Sequence, residues 1–147
     1  MRSLSVTSHN KSLKKIPATE LIASELKIAL GTPVWEVIRT RYANDVPVAH
    51  EHVFFPTDLI GTIRPEDLDA SLYDLLGKRG IHFAHADQRL DAINADETIA
   101  NFLNIPVGHA VIKMHVTAYM ENGTPFNTGV SYYQTQAFKL VQTVYGN

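Results

Sequence analysis

A chain of 147 residues with a formal net charge of -2 and no cysteine is long enough to bury roughly 70% of the surface its unfolded form would expose. The near-balance of charge gives no bulk attraction for nucleic acid or an anionic membrane, and the lack of cysteine excludes disulfides, zinc-thiolate sites and cysteine nucleophiles. No apolar run approaches the ~18 residues of a membrane-spanning helix and the N-terminus is polar, so the sequence reads as one soluble, cytoplasmic domain.

Met1 to Pro17 mixes Ser, Thr, His, Asn and Lys around a candidate strand at Leu4-Ser5-Val6. Its lysines, Lys11, Lys14 and Lys15, are too few for a nucleic-acid patch and read as a solvated linker. Ala18 to Leu30 places Leu21, Ile22, Leu26 and Ile28 at helical spacing behind Thr19 as N-cap, and Gly31 ends the run. The next stretch, Val34 to Phe55, is two β-rich runs broken by Asn44-Asp45-Val46-Pro47, the pattern of a β-hairpin. Strand side chains alternate faces, so Arg39 and Arg41 point the same way, and Glu51 on the returning strand can share that face. Two guanidinium groups aimed at one spot repel unless a phosphate or carboxylate sits between them. The alternative is a plain pairing of these arginines with Glu36, Glu51 or Asp45.

Pro56 to Gly61 reads as a turn or a single helical turn. Ser71-Leu72-Tyr73-Asp74-Leu75-Leu76 reads as a second helix with Ser71 as N-cap, stopped by Gly77 and Gly80. A hydroxyl at a helix start also suits an anion. Ile81 to Ile93 reads as a strand with one wet face by its mixed pattern, and Ala95 to Val111 then repeats Ala18 to Val34. Identities fall at Ala18/Ala95, Glu20/Glu97, Ile22/Ile99, Ala23/Ala100, Leu26/Leu103, Ile28/Ile105, Gly31/Gly108 and Val34/Val111. A second hairpin follows, Val111 to Tyr119 and Phe126 to Tyr133, with Asn and Pro three apart in both turns (Asn44/Pro47, Asn122/Pro125). A further strand is a candidate at Phe138 to Tyr145.

Each half is therefore a helix, a Gly turn and a hairpin, and a hairpin under one helix cannot close a core alone. The expected fold is α+β, one antiparallel sheet with helices packed on it, with a cleft where the pseudo-repeated halves meet. The arginine hairpin would line one side of that cleft, and the second hairpin, with Asn127 and Tyr133, the other. His50 and His52 share a strand face without an obvious third ligand, and His82, His85, His109 and His115 lack zinc-binding spacing, so no metal is expected. Neither a nucleophile elbow nor a Gly-rich phosphate loop is present, and Asp87, Asp91 and Asp96 are spaced like solvated acids. No cofactor is expected.

The order of these segments, from Pro33-Val34-Trp35 through Arg39-Thr40-Arg41, Pro47-Val48-Ala49-His50-Glu51, Ser71-Leu72-Tyr73, Leu103-Asn104-Ile105-Pro106-Val107-Gly108 and Asn122-Gly123-Thr124-Pro125 to Ser131-Tyr132-Tyr133, resembles the UTRA effector-binding domain. That domain is the C-terminal half of HutC-subfamily, GntR-type bacterial transcription regulators. The resemblance runs from about Ala18 to Leu140. It implies a chorismate-lyase-like fold, a homodimer, and a small-molecule effector that alters operator binding by an N-terminal winged helix-turn-helix. Residues 1–17 would then be the interdomain linker, 18–147 the ligand-binding domain, and DNA would be reached only through a winged helix this sequence does not include. In amino-sugar-responsive members, Arg39 and Arg41 match the arginines that hold the effector phosphate. Ser71 and Tyr73 match the phosphate-binding Ser-x-Tyr, Glu51 a pocket acid, and Tyr133 a tyrosine near the sugar. Asn127 stands where such members often carry Glu, which leaves the sugar's identity open. A non-enzymatic sensor of an anionic metabolite, a phosphorylated sugar before a phosphonate or carboxylate, is the leading expectation. A chorismate-lyase-type enzyme would use the same arginines for substrate carboxylates, but no acid/base pair is placed for elimination. A pure dimerisation module is the third reading. Turnover of chorismate would mark the enzyme, and saturable effector binding without turnover the sensor.

Overall fold

The computed structural model describes residues 5–146. In chain order the elements are β1 (Val6–Pro17), α1 (Glu20–Leu26), β2 (Pro33–Ala43), β3 (Val46–Pro56), α2 (Thr57–Ile60), a 3-10 turn (Pro65–Asp69), α3 (Leu72–Lys78), β4 (His85–Asn94), α4 (Glu97–Leu103), β5 (Ala110–Tyr119) and β6 (Pro125–Gln134). The strands form one antiparallel sheet in the order β1-β2-β3-β6-β5-β4. The expected α+β architecture is thus observed, and no helix among the described residues is long and apolar enough to cross a membrane.

The repeat is visible atom by atom. Thr19 Oγ1 accepts the Ile22 amide at 3.3 Å and Asp96 Oδ1 the Ile99 amide at 2.9 Å, so α1 and α4 start on equivalent caps. Both helices end early, at Leu26 and Leu103, because Lys27 and Asn104 take the left-handed conformation and the amides of Ile28 and Ile105 turn back to Ala23 and Ala100. Ile22, Ala23 and Leu26 on α1, and Ile99, Ala100 and Leu103 on α4, are the buried stripes. Each helix crosses to the other half: α1 packs on β6 and α4 on β3. The opposite sheet face is covered by the segment from α2 to α3, with Phe55, Ile60, Leu68, Leu76 and Phe126 at the centre of its core.

Several local expectations change. Val6–Pro17, within the stretch expected as a linker, is an edge strand paired along β2, from Val6 opposite Ala43 to Pro17 opposite Pro33; Leu4 lies outside the described residues. Each half of the repeat is therefore strand-helix-hairpin. The strand expected from Ile81 begins only at His85, since Ile81 is drawn into the core and its amide bonds to the Leu76 carbonyl at 2.9 Å. Helix α3 runs through Gly77 to Lys78. Phe138 to Tyr145 forms no strand: the chain turns after Gln134, where the Ala137 amide bonds to the Gln134 carbonyl, and leaves Leu140, Val141, Val144 and Tyr145 exposed. The halves also join without a break in the sheet. β3 pairs directly with β6, Glu51 opposite Ser131 and Val53 opposite Gly129, so the sheet is continuous.

That central pairing depends on Gly129. A Cβ there would lie 2.4 Å from the His52 carbonyl oxygen and 2.5 Å from Val53 Cα, both backbone atoms that cannot move without parting the strands. Gly129→Ala is expected to cost about 2 kcal/mol or more through this overpacking, read as a lower urea midpoint at unchanged slope.

Candidate functional site

A cavity of about 340 Å³ opens on the sheet face that also carries α3. Its floor is built by cross-strand register: Arg39 lies opposite Glu51, Glu51 opposite Ser131 and Ser131 opposite Met114. Neighbouring rows add Val53, Phe55, Val116 and Asn127, while Ser71, Leu72, Tyr73 and Phe83 form the wall above. Of the site residues expected from sequence, Arg39, Glu51, Ser71, Tyr73, Asn127 and Tyr133 line this one cavity. Arg41 does not.

Arg39 is 6% exposed and fully engaged at one end. Its Nε donates to Glu51 Oε1 at 2.6 Å, and its Nη1 donates to the carbonyls of Leu68 and Ala70 at 2.8 and 2.9 Å. The pairing with Glu51 weighed from sequence is therefore formed, and the arginine still faces the cavity. Arg41 instead donates from Nη1 to Ser8 Oγ on β1. Burial and then the charge of Arg39 lower its pKa, partly offset by Glu51 and Asp69. The two guanidinium charges thus face the carboxylates of Glu51 and Asp69, the latter paired with Lys11.

Ser71 caps α3 as expected, its Oγ accepting the Asp74 amide at 3.2 Å. The Tyr73 hydroxyl donates to Asn127 Oδ1 at 2.9 Å, and Asn127 Nδ2 donates to the Phe54 carbonyl at 3.1 Å. Asn127 thus spends both ends of its amide on tying α3 to the sheet. Burial, with Glu51 and Tyr133 next, pushes the Tyr73 phenol up to about 12; burial and Glu51 also raise Tyr133. Both phenols are neutral hydroxyls at pH 7, suited to hydrogen bonding rather than proton transfer. Phe83, half exposed, stacks on Tyr73 with ring centroids 5.7 Å apart and edges the cavity mouth.

The histidine pair lies on the other face. His50 shares a hydrogen bond of 2.9 Å with Thr40 and stacks on Phe102 at 3.9 Å, and His52 Nε2 lies 3.0 Å from a Glu36 carboxylate oxygen. Among the described residues no three His, Asp or Glu side chains are grouped to hold a metal.

The UTRA domain profile matches residues 2–139. The chain belongs to the UTRA domain family. It is 31% identical over 127 residues to the HTH-type transcriptional repressor NagR of Bacillus subtilis (strain 168), covering 86% of this chain and 52% of NagR. It is 23% identical over 138 residues to MngR of Escherichia coli (strain K12), the mannosyl-D-glycerate transport/metabolism system repressor, covering 92% of this chain and 58% of MngR. This UTRA domain spans about half the length of the curated relatives it matches. Its fold superposes on the effector domain of PhnF from Mycobacterium smegmatis with a TM-score of 0.86 at 21% identity, covering 97% of this chain and 89% of that one. NagR is thus a transcriptional repressor and MngR a system repressor by name.

Within this UTRA domain the sequence reading missed Ser131, Gln88, Met114, Val116 and Phe83 as cavity residues. Ser131 was within reach, because it lies four residues from Asn127 and two from Tyr133 on one strand and so shares their face. Gln88 and Met114 sit on strands with no marked alternation, and Phe83 sits in a loop, so no periodic signal points to them.

Proposed function

We propose that this UTRA domain binds a small anionic metabolite, a phosphorylated sugar in the first place and a phosphonate or carboxylate otherwise. Occupancy would tune operator binding by a winged helix-turn-helix region of a longer protein that acts as a homodimer. The observation that carries the proposal is the buried Arg39, fixed by Glu51 and two carbonyls at the edge of a cavity, with Arg41 beside it. An arginine held in place before a ligand arrives loses little entropy on binding one, and charge-assisted bonds to phosphate or carboxylate are the strong ones. Ser71, Tyr73, Ser131 and Tyr133 supply neutral hydroxyls for the remainder of a polyhydroxylated ligand. The full name of MngR, which concerns a sugar bearing a carboxylate, supports this chemistry at the level of class.

A thermal-shift panel of sugar phosphates against their neutral parent sugars tests the proposal. A ligand at 100 times its Kd should stabilise the fold by about 2.7 kcal/mol, and Arg41→Ala should weaken that ligand about tenfold, roughly 1.4 kcal/mol. Neutral parents that shift the transition as far as their phosphates would overturn the anionic assignment.

A further inference from the structure

Ser8 lies on β1, in the stretch that sequence sets aside as linker, yet it sits between the two arginines. It is opposite Arg41 in the β1–β2 register and 9% exposed. Its Oγ donates to the Leu68 carbonyl at 2.6 Å and accepts from Arg41 Nη1, while Arg39 Nη1 donates to that same carbonyl at 2.8 Å. The directions are forced, because a guanidinium only donates and a carbonyl only accepts. The hydroxyl proton of Ser8 is therefore committed to Leu68, and its lone pair to Arg41. One hydrogen-bonded chain runs Arg41, Ser8, Leu68 carbonyl, Arg39, Glu51, from the sheet edge to the cavity floor. Lys11 closes the same contact further along β1, its Nζ 2.5 Å from Asp69 Oδ1 in the 3-10 turn.

We propose that Ser8 is a positioning residue of the anion site: it holds Arg41 beside Arg39 against their mutual repulsion, and so makes the N-terminal strand sense whether the cavity is filled. The proposal rests on the anion-binding reading of the cavity. Arg41 does not line the cavity, so an anion held at Arg39 is coupled to it through the Leu68 carbonyl and Ser8, and Ser8 is on the strand that leads toward the N-terminus. A hydroxyl at this position is required, whereas the volume of Ser is not, so Thr should serve and Ala should not.

The test is titration of the wild-type domain, S8A, S8T, R41A and S8A/R41A with inorganic phosphate and one sugar phosphate, with amide hydrogen exchange followed at residues 6–9. S8A is expected to bind about tenfold more weakly, S8T like wild type, and the double variant no more weakly than R41A, because Ser8 acts only through Arg41. Bound anion is expected to slow exchange at residues 6–9 in wild type and S8T, but not in S8A. Wild-type affinity in S8A, or additive losses in the double variant, would overturn the role of Ser8 while leaving the cavity's function standing. A wild-type domain that binds neither anion would remove the reading beneath it. Should S8A fold poorly, S8T and the wild-type exchange pattern decide the matter.

Discussion

Arg39→Met is expected to lower the stability of the domain by about 3 kcal/mol, besides abolishing the anion binding proposed for the cavity. Removing one member of a buried ion pair costs roughly 3 to 5 kcal/mol because the other charge is left uncompensated. The lower end applies here, since the Glu51 side chain keeps 23% of its surface in contact with solvent and can rehydrate. The substitution also removes the Arg39 donor from the Ala70 carbonyl and leaves the Leu68 carbonyl with Ser8 alone, loosening the 3-10 turn and the start of α3 from the sheet. Adding Glu51→Gln to Arg39→Met should restore part of the loss by discharging the orphaned carboxylate, and urea denaturation of the two variants would measure the difference. Equal stability of wild type and Arg39→Met would mean that this network orders nothing.

Stability should also fall by about 3 kcal/mol as pH drops from about 6.5 to 4, through His50 alone. Burial first, and the neighbouring His52 second, depress His50 from its usual 6.5 to about 4. The neutral ring stacks on Phe102 and bonds with Thr40, and protonation would place a charge inside that packing. Above pH 6.5 the ring is neutral whether the chain is folded or not, so it adds no pH dependence there. Between 6.5 and 4 the unfolded chain takes up the proton and the folded one does not, which favours unfolding. Below about 4 both forms are protonated and the effect levels off. His50→Asn keeps a hydrogen-bonding group for Thr40 and removes the titration, so its denaturation midpoint should be flatter than wild type over this range. The same slope in both would exclude His50 as its source.

Half of the site is legible in the sequence alone. Period-two alternation is enough to place Arg39 and Glu51 on one face of a hairpin, and Asn127 and Tyr133 on one face of another. Side-chain direction in a strand is local geometry and needs no tertiary information. Which groups pair is a different question. Glu51 meets Arg39 across one hairpin, whereas Asn127 turns both amide ends inward because the register of β3 on β6 and the descent of α3 onto the sheet bring its partners from more than fifty residues away.

By itself the sequence determined the repeat, the two hairpins, the caps of α1 and α3 and the membership that follows from their order, while Asp96, read as a solvated acid, proves to be the cap of α4. All of these rest on nearest-neighbour chemistry: periodicity, turn residues and side-chain caps. Only the tertiary structure decided that the halves form one continuous sheet, that the cavity lies on its face, and that β1 belongs to it. β1 buries just Ser8 fully along its length, so no hydrophobic alternation announces it. It is held by backbone pairing to β2 and by contacts of Ser8 and Lys11 with the 3-10 turn. Backbone pairing is blind to residue type, and for that reason an edge strand made of polar residues is written in the sequence as though it were a linker.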